Sequence, residues 1–142
     1  EMADINFSYN PVFKLRISQA LSGLKSFNEA LSLLATLEQT GLPQFEVWVT
    51  YGTIFSQMED YTSAVHYLSM ALPLADKEDQ IEIYLDISFA YQKMKDMDGS
   101  IEVLSKGLSV NPTSESLLYE LGFTYDRVGR YQDSIDTFLY VL

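Results

Sequence analysis

His66, the only histidine of the chain, is the first residue to test for chemistry, because imidazole is the commonest general base in enzymes. It lies in the segment SAVHYL, four residues after Thr62 and three after Ser63, so a hydroxyl would share its face of a helix. A nucleophilic triad also needs an acid that orients the imidazole and an oxyanion pocket, and the sequence shows neither. We therefore expect His66 to be an ordinary histidine on the surface or between structural repeats.

The segment DMDG, residues 96–99, is similar to a fragment of a calcium-binding loop. Such a loop needs further acids and a terminal Glu, and Leu104 stands in the region where that Glu should come. Phosphate loops, HExxH and GxSxG are absent, and the chain has no cysteine to serve as nucleophile or metal ligand. The sequence therefore predicts no catalytic residue, no metal site, no cofactor and no enzyme activity.

The charge of the chain limits its partners. It carries 20 Asp and Glu against 9 Lys and Arg, a net charge of −11, which disfavours nucleic acid and anionic lipid. Its apolar runs fall short of the ~18–20 residues that a membrane helix needs, so we expect no membrane insertion and a cytoplasmic protein. The chain starts at Glu1 rather than Met, as an excised piece does, and a removed targeting segment stays an open alternative.

Four small residues set the period of the chain. Ser18, Gly52, Ser88 and Gly122 are separated by 34, 36 and 34 residues, a spacing typical of a repeat architecture. Large apolar residues follow nine positions later, at Phe27, Tyr61, Met97 and Tyr131, and small ones three positions after those, at Ala30, Ala64, Ser100 and Ser134. The next column, four positions further, is Leu34, Leu68, Leu104 and Phe138. Because apolar residues recur at helical spacing on both sides of each turn, each copy is predicted to be a helical hairpin, in which the small residues allow close packing.

The four copies resemble the tetratricopeptide repeat, whose signature is W-x2-L-G-x2-Y, then G-x-Y-x2-A, F-x2-A and P. The second copy contains WVTYGTIF, the fourth LYELGFTYDRVGRYQDSIDTFLYVL, and the third ends in LSVNPTSE with Pro112 in the proline column. The resemblance implies an all-α, right-handed solenoid of antiparallel helix pairs, with first helices that line a peptide-binding groove. We expect one domain over 1–142 with repeats at 11–44, 45–80, 81–114 and 115–142, part of a longer array or protein.

Helical geometry predicts which side chains of the first helices face outward. The outward sets are Leu15, Gln19, Ser22 and Gly23; Val49, Thr53, Ser56 and Gln57; Leu85, Phe89, Gln92 and Lys93; Tyr119, Phe123, Asp126 and Arg127. From these and from the flanking acids we predict a partner-binding groove of Leu85, Phe89, Lys93, Tyr119, Phe123, Arg127, Val49, Thr53, Glu82 and Asp86. The Lys and Asn columns that grip acidic chaperone tails in the family hold other residues here, so binding of such tails is not expected.

These residues predict an interaction scaffold or adaptor that binds a protein or peptide segment with hydrophobic and basic residues. Two alternatives stay open. The outward apolar residues pack against a neighbouring repeat without any ligand, or the chain is a structural spacer or self-association segment of a larger protein, in which missing repeats or a second copy cover the apolar groove or the C-terminal end. With a second copy, a homo-oligomer would form through the exposed terminal repeat.

Overall fold

A computed structural model describes residues 11–40 and 43–141, which form eight α-helices joined by short turns. The helices are α1 (Pro11–Gly23), α2 (Phe27–Leu37), α3 (Gln44–Gln57), α4 (Tyr61–Ala71), α5 (Lys77–Lys93), α6 (Met97–Val110), α7 (Glu115–Arg127) and α8 (Tyr131–Val141), with a 3₁₀ turn at Leu72–Leu74. These residues contain no strand, so the predicted all-α class is confirmed. Residues 1–10, Gly41, Leu42 and Leu142, all within the predicted domain of 1–142, lie outside the described residues.

The helices form two compact units, one ending at Leu74 and one beginning at Ala75. In the first unit α1 pairs with α2 and α3 with α4, and in the second α5 pairs with α6 and α7 with α8. The helix α7 also packs against both α5 and α6. The predicted helical hairpins and the solenoid class are therefore confirmed.

Acidic side chains start the second helices of the middle pairs. The Asp60 carboxylate accepts a hydrogen bond from the backbone N–H of Ser63 at 3.3 Å, and the Asp96 carboxylate accepts one from Gly99 at 2.9 Å. Each bond satisfies one of the free amides at a helix N-terminus. The segment DMDG thus starts a helix.

The helix α5 begins earlier than the repeat pattern indicates. Asp76 accepts a hydrogen bond from the backbone N–H of Asp79 at 2.9 Å, which places the first turn at Lys77 rather than near Ile81. The last four residues of the predicted second repeat, 77–80, therefore belong to the first helix of the third. The periodicity of the large residues did not reveal this start, because a cap acts locally on residues that carry no apolar pattern.

The turn inside each pair contains one residue in the left-handed region, with φ of 63° at Lys25, 62° at Glu59, 63° at Lys95 and 82° at Gly129. These positions follow the repeat period. Only the last is glycine, the residue that adopts this conformation without steric cost. The other three turns hold a strained backbone that the two flanking helices impose.

The small-residue columns bring the helices of each pair together. The Ser18 hydroxyl donates to the carbonyl oxygen of Ala30 at 2.9 Å, and the Ser134 hydroxyl donates to that of Gly122 at the same distance. In the third pair the hydroxyls of Ser88 and Ser100 lie 2.7 Å apart. The predicted close packing is confirmed, and these hydrogen bonds across the pair add to it a polar contribution that the spacing alone did not predict.

Glycine occupies this column where the partner side chain is pressed against the backbone. A Cβ built on Gly52 would lie 2.7 Å from the Leu68 side chain, and one on Gly122 would lie 2.6 Å from the Phe138 ring. Real Cβ atoms essentially never make contacts this short. The approach of the two helices at these positions therefore requires glycine.

The core of the first unit corrects two predictions of the outward face. Leu15 is buried with Leu34, Val47 and Ile54 in one apolar cluster, and Ser22 is buried with its hydroxyl donating to the Gln57 carboxamide. Both residues face inward because α3 packs against α1 as well as against its own partner α4. Gln19 and Gly23 of the same set are exposed as predicted.

We expect Gly52→Ala to lower the free energy of unfolding by about 1–3 kcal/mol, because the new methyl group overpacks Leu68, which is almost fully buried. Gly23→Ala is the matched control, since nothing lies within 4 Å of its Cβ position and alanine gains up to ~1 kcal/mol of helix propensity. Urea unfolding of both variants measures the difference. Equal stabilities would contradict the close approach at Gly52.

Candidate functional site

An apolar groove lies among α5, α7 and α8 in the unit that begins at Ala75 and has a volume of about 990 Å³. It is lined by Leu85, Phe89, Gln92, Glu115, Ser116, Tyr119, Glu120, Ile135, Phe138 and Leu139. Phe89 and Tyr119 are 50% and 56% exposed, so large apolar surface is open to a partner. Proteins that bind partners through aromatic anchors use surfaces of this kind.

Two aromatic lining residues, Tyr119 and Phe138, pack with Phe123, which lies outside the lining. The Tyr119 ring centroid lies 4.8 Å from that of Phe123 and 6.1 Å from that of Phe138, and Phe123 and Phe138 are 6.0 Å apart, all in edge-to-face arrangements. Edge-to-face pairs are favourable because the positive ring edge meets the negative face of its neighbour. Packing with Phe123 thus holds both lining rings in place.

A polar network lies beneath the groove and fixes Gln92. Its amide Nε2 donates to the hydroxyls of Ser88 and Ser100, both at 3.2 Å, and to Thr124 at 3.4 Å. Its Oε1 accepts from Arg127 Nη1 at 2.8 Å. The amide therefore ties α5, α6 and α7 together, and both of its ends are occupied within the fold.

Charged groups border the groove along α5 and α7. Glu115, the first residue of α7, and Glu120, near its middle, belong to the lining, whereas Lys93 and Arg127 are the last residues of α5 and α7. The Lys93 ammonium lies 5.3 Å from the centroid of the Phe89 ring, a cation–π contact. Within the described residues, the ion pairs join Lys106 to Glu102 and Arg130 to Asp133, so these four groove charges have no ionic partner there.

Asp86 lies beside Leu85 on α5. Its carboxylate is reached by solvent, yet the pKa is raised above its ordinary value of 3.8, first by partial desolvation and then by the negative charge of Glu82 one turn earlier. Both causes disfavour the ionised form. A positive partner group near Glu82 and Asp86 would counteract both by favouring the ionised form of Asp86.

The predicted groove residues fall into three groups. Leu85, Phe89 and Tyr119 line the groove, and Phe123, Lys93 and Arg127 contact lining residues from behind or from its edge. Glu82 and Asp86 are exposed on α5 and do not belong to the lining. Val49 and Thr53 belong to the first unit, where the Thr53 hydroxyl donates to the Val49 carbonyl at 3.0 Å. Their part in binding stays a prediction.

Three lining residues, Ile135, Phe138 and Leu139, come from the second helix of the last pair, which the sequence analysis did not include in the site. Phe138 shares its column with Leu34, Leu68 and Leu104, which are buried, whereas Phe138 is only partly buried. Ile135 and Leu139 are more than half exposed. The sequence signal for these residues is an apolar face on α8 that is broader than packing against α7 requires.

His66, the first residue tested for chemistry, is exposed and contacts an aromatic neighbour. Its ring centroid lies 5.1 Å from that of Tyr67 in an edge-to-face arrangement. Across residues 11–40 and 43–141, no three His, Asp or Glu side chains lie together in a way that could hold a metal ion. In the same part of the chain, every helix is too short or too polar to cross a bilayer.

Comparison with known proteins identifies the repeat. The family model described as Tetratricopeptide repeat matches residues 81–114, the pair α5–α6 with its following turn. This pair is a tetratricopeptide repeat, so the repeat named from the sequence motifs is confirmed for residues 81–114.

Relatives with the same repeats cover different shares of the chain. Photosystem I assembly protein Ycf3 from Prochlorococcus marinus strain MIT 9215 is 33% identical over 75 residues, 52% of this chain and 43% of the relative. The Ycf3 of strain CCMP1986 is 32% identical over the same shares. The chain thus spans less than half the length of these curated relatives.

Solved structures of MamA have the same tetratricopeptide-repeat fold. A crystal structure of MamA has a TM-score of 0.74 and 20% identity, covering 99% of this chain and 74% of MamA. MamA from Desulfovibrio magneticus RS-1 has a TM-score of 0.71 and 19% identity, covering 93% of this chain and 73% of its own. At these identities the likeness shows the fold.

We expect Asp86→Asn to stabilise the third tetratricopeptide repeat slightly at pH 7, by less than about 0.5 kcal/mol, because the site is exposed and screened. A carboxyl group whose pKa is raised on folding opposes folding when it is ionised. The opposition is absent below the unfolded value near 3.8 and grows as the pH rises through the folded value. Urea unfolding of wild type and variant between pH 3 and pH 7 should show a difference that vanishes at the acidic end; a constant difference would contradict this cause.

Proposed function

We propose that this chain is a non-enzymatic protein–protein interaction module, and that the groove among α5, α7 and α8 binds a segment of a partner protein. The observation that carries the proposal is the half-exposed pair Phe89 and Tyr119 in a groove of about 990 Å³. Aromatic side chains dominate binding energy at interfaces when a partner desolvates them. The groove is thus suited to an aliphatic or aromatic anchor.

The charges around the groove support a partner with basic residues. Glu115 and Glu120 belong to the lining, Glu82 and Asp86 flank it on α5, and the chain as a whole carries a net charge of −11. Complementary charge favours encounter and disfavours wrong partners. Assembly of other proteins, which the name of Ycf3 states for that relative, is a role that such binding would serve. The cytoplasmic location stays a prediction.

A displayed library of random peptides tests the groove while the partner protein is still unidentified. We expect the wild-type protein to enrich peptides with an aromatic or aliphatic anchor. Phe89→Ala with Tyr119→Ala should weaken their binding at least about 30-fold, because loss of one anchor typically costs more than about 1 kcal/mol and these two are central.

Tyr131→Ala is the matched control for that experiment, since Tyr131 is an aromatic residue of the same unit, 63% exposed and outside the groove lining. It should bind the enriched peptides as wild type does. Circular dichroism checks that all variants keep their helices. Equal enrichment by the double variant would refute the groove as the binding site.

Self-association is a second candidate function, favoured by one observation on α8. Ile135 and Leu139 are 52% and 57% exposed and lie one turn apart, so they form an apolar stripe on the open face of the last pair. A second copy of the chain would bury this stripe by the same packing that seats α7 on α5 and α6.

The mass in solution separates the two candidates. If the stripe mediates self-association, sedimentation equilibrium should give a dimer or larger species that Leu139→Asp converts to monomer, because a carboxylate in an apolar interface is costly to desolvate. Lys106→Asp, at an exposed site on α6, should leave the mass unchanged. A wild-type monomer at high protein concentration rules self-association out.

A further inference from the structure

We propose that the occupant of the groove is an amphipathic α-helix with charges of opposite sign at its two ends, its basic end beside Glu115 and its acidic end beside Arg127. The inference rests on the proposed function and specifies the partner of the same site. It concerns the shape and charge pattern of the ligand, which apolar anchoring by itself leaves open.

The walls of the groove favour a helix because they offer few partners for an extended backbone. Along α5 and the middle of α7, backbone N–H and C=O groups are bonded within their own helices. Gln92, the one amide side chain in the lining, has both ends engaged with Ser88, Ser100, Thr124 and Arg127. An extended segment would leave its own peptide groups unpaired over the apolar surface, whereas a helix pairs them internally.

The apolar lining has the layout that receives such a helix. Leu85 and Phe89 lie one turn apart on α5, and Ile135 and Leu139 lie one turn apart on α8, with Tyr119 between them on α7. Two ridges with this spacing accept side chains at i, i+3, i+4 and i+7 of a third helix. The partner is therefore expected to carry its apolar residues at those positions.

Two charged residues of α7 define the ends of the groove. Glu115 is the first residue of α7 and Arg127 the last, and with a rise of about 1.5 Å per residue they lie about 18 Å apart along the helix axis. A partner helix covers that length with about 12 residues, whereas an extended chain covers it with about five or six. Opposite charges about 12 positions apart are thus the pattern that matches both ends.

Arg127 is positioned to bind an acidic group of the partner. Its Nη1 donates to the Gln92 oxygen at 2.8 Å, so the guanidinium is fixed at the groove edge, and among the described residues it has no carboxylate partner. Lys93 lies over Phe89 at the same end, which adds a second positive charge. An acidic residue there gains charge-assisted hydrogen bonds, and a basic residue meets repulsion.

Fluorescence anisotropy with three synthetic 16-residue amphipathic peptides tests the inference at 150 mM salt, where screening confines charge effects to about 8 Å. All three share one apolar face. The first has Glu near its N-terminus and Lys 12 positions later, the second has Lys at both places, and the third is the first with Pro at its centre. The wild-type protein should bind the first about 2–5-fold more tightly than the second, the range of an exposed ion pair, and the third at least about 30-fold more weakly.

The charge swap Arg127→Glu should reverse the preference between the first two peptides. Lys106→Glu makes the same change of charge on α6, outside the groove, and should leave the ratio of the two affinities as in wild type. Because the two variants change the net charge by the same amount, comparing their ratios separates the position of the charge from the overall negative charge of the chain.

The other outcomes distinguish the inference from the proposed function. If binding of the peptides requires Phe89 and Tyr119 but the affinity ratio of the first two peptides is the same in Arg127→Glu as in wild type, the charge pattern is overturned. The groove then remains a binding site. Equal binding of the proline peptide would overturn the helical form. Library peptides that bind while all designed helices fail would overturn the inference as a whole, and loss of all groove-dependent binding would overturn the proposed function with it.

Discussion

The structure depends on the close approach of the two helices in each pair. Glycine or serine on the first helix and alanine or serine on the second leave room for one large side chain, such as Leu68 or Phe138, to press against the facing backbone. This approach sets the position of each second helix, and in the last pair it places Phe138 beside Tyr119. The groove therefore depends on the packing within the last pair, because that packing brings the Phe138 ring close to the Tyr119 ring.

Much of the fold follows from the sequence because its signals are local or periodic. The 34- and 36-residue spacings predict helix pairs, and the structure shows that the side chains of Asp60 and Asp96 cap the second helices of the middle pairs. Contacts between pairs do not follow from that period. The inward position of Leu15 depends on α3 packing against α1, and the early start of α5 depends on a single cap.

The site could be predicted only in part, for the same reason. The helical spacing of Leu85 and Phe89 marks an outward apolar face, but it does not show which other helix completes the groove. Ile135 and Leu139 enter the site because α8 lies across α7 in three dimensions. The sequence does not reveal the role of Gln92 either, because its hydrogen bonds reach Ser100 on α6 and both Thr124 and Arg127 on α7. Hydrogen-bond networks depend on side-chain geometry, which residue spacing does not contain.

The net charge of −11 has a kinetic consequence. A field of one sign raises the rate at which basic partners meet the surface and lowers it for acidic ones, whereas the lifetime of a complex is set mainly by its buried apolar contacts. Added salt would thus slow association with a basic partner while leaving dissociation from Phe89 and Tyr119 nearly constant. On the proposed function, such a module captures basic partners at a rate that ionic conditions control and keeps them for a time that its aromatic residues control.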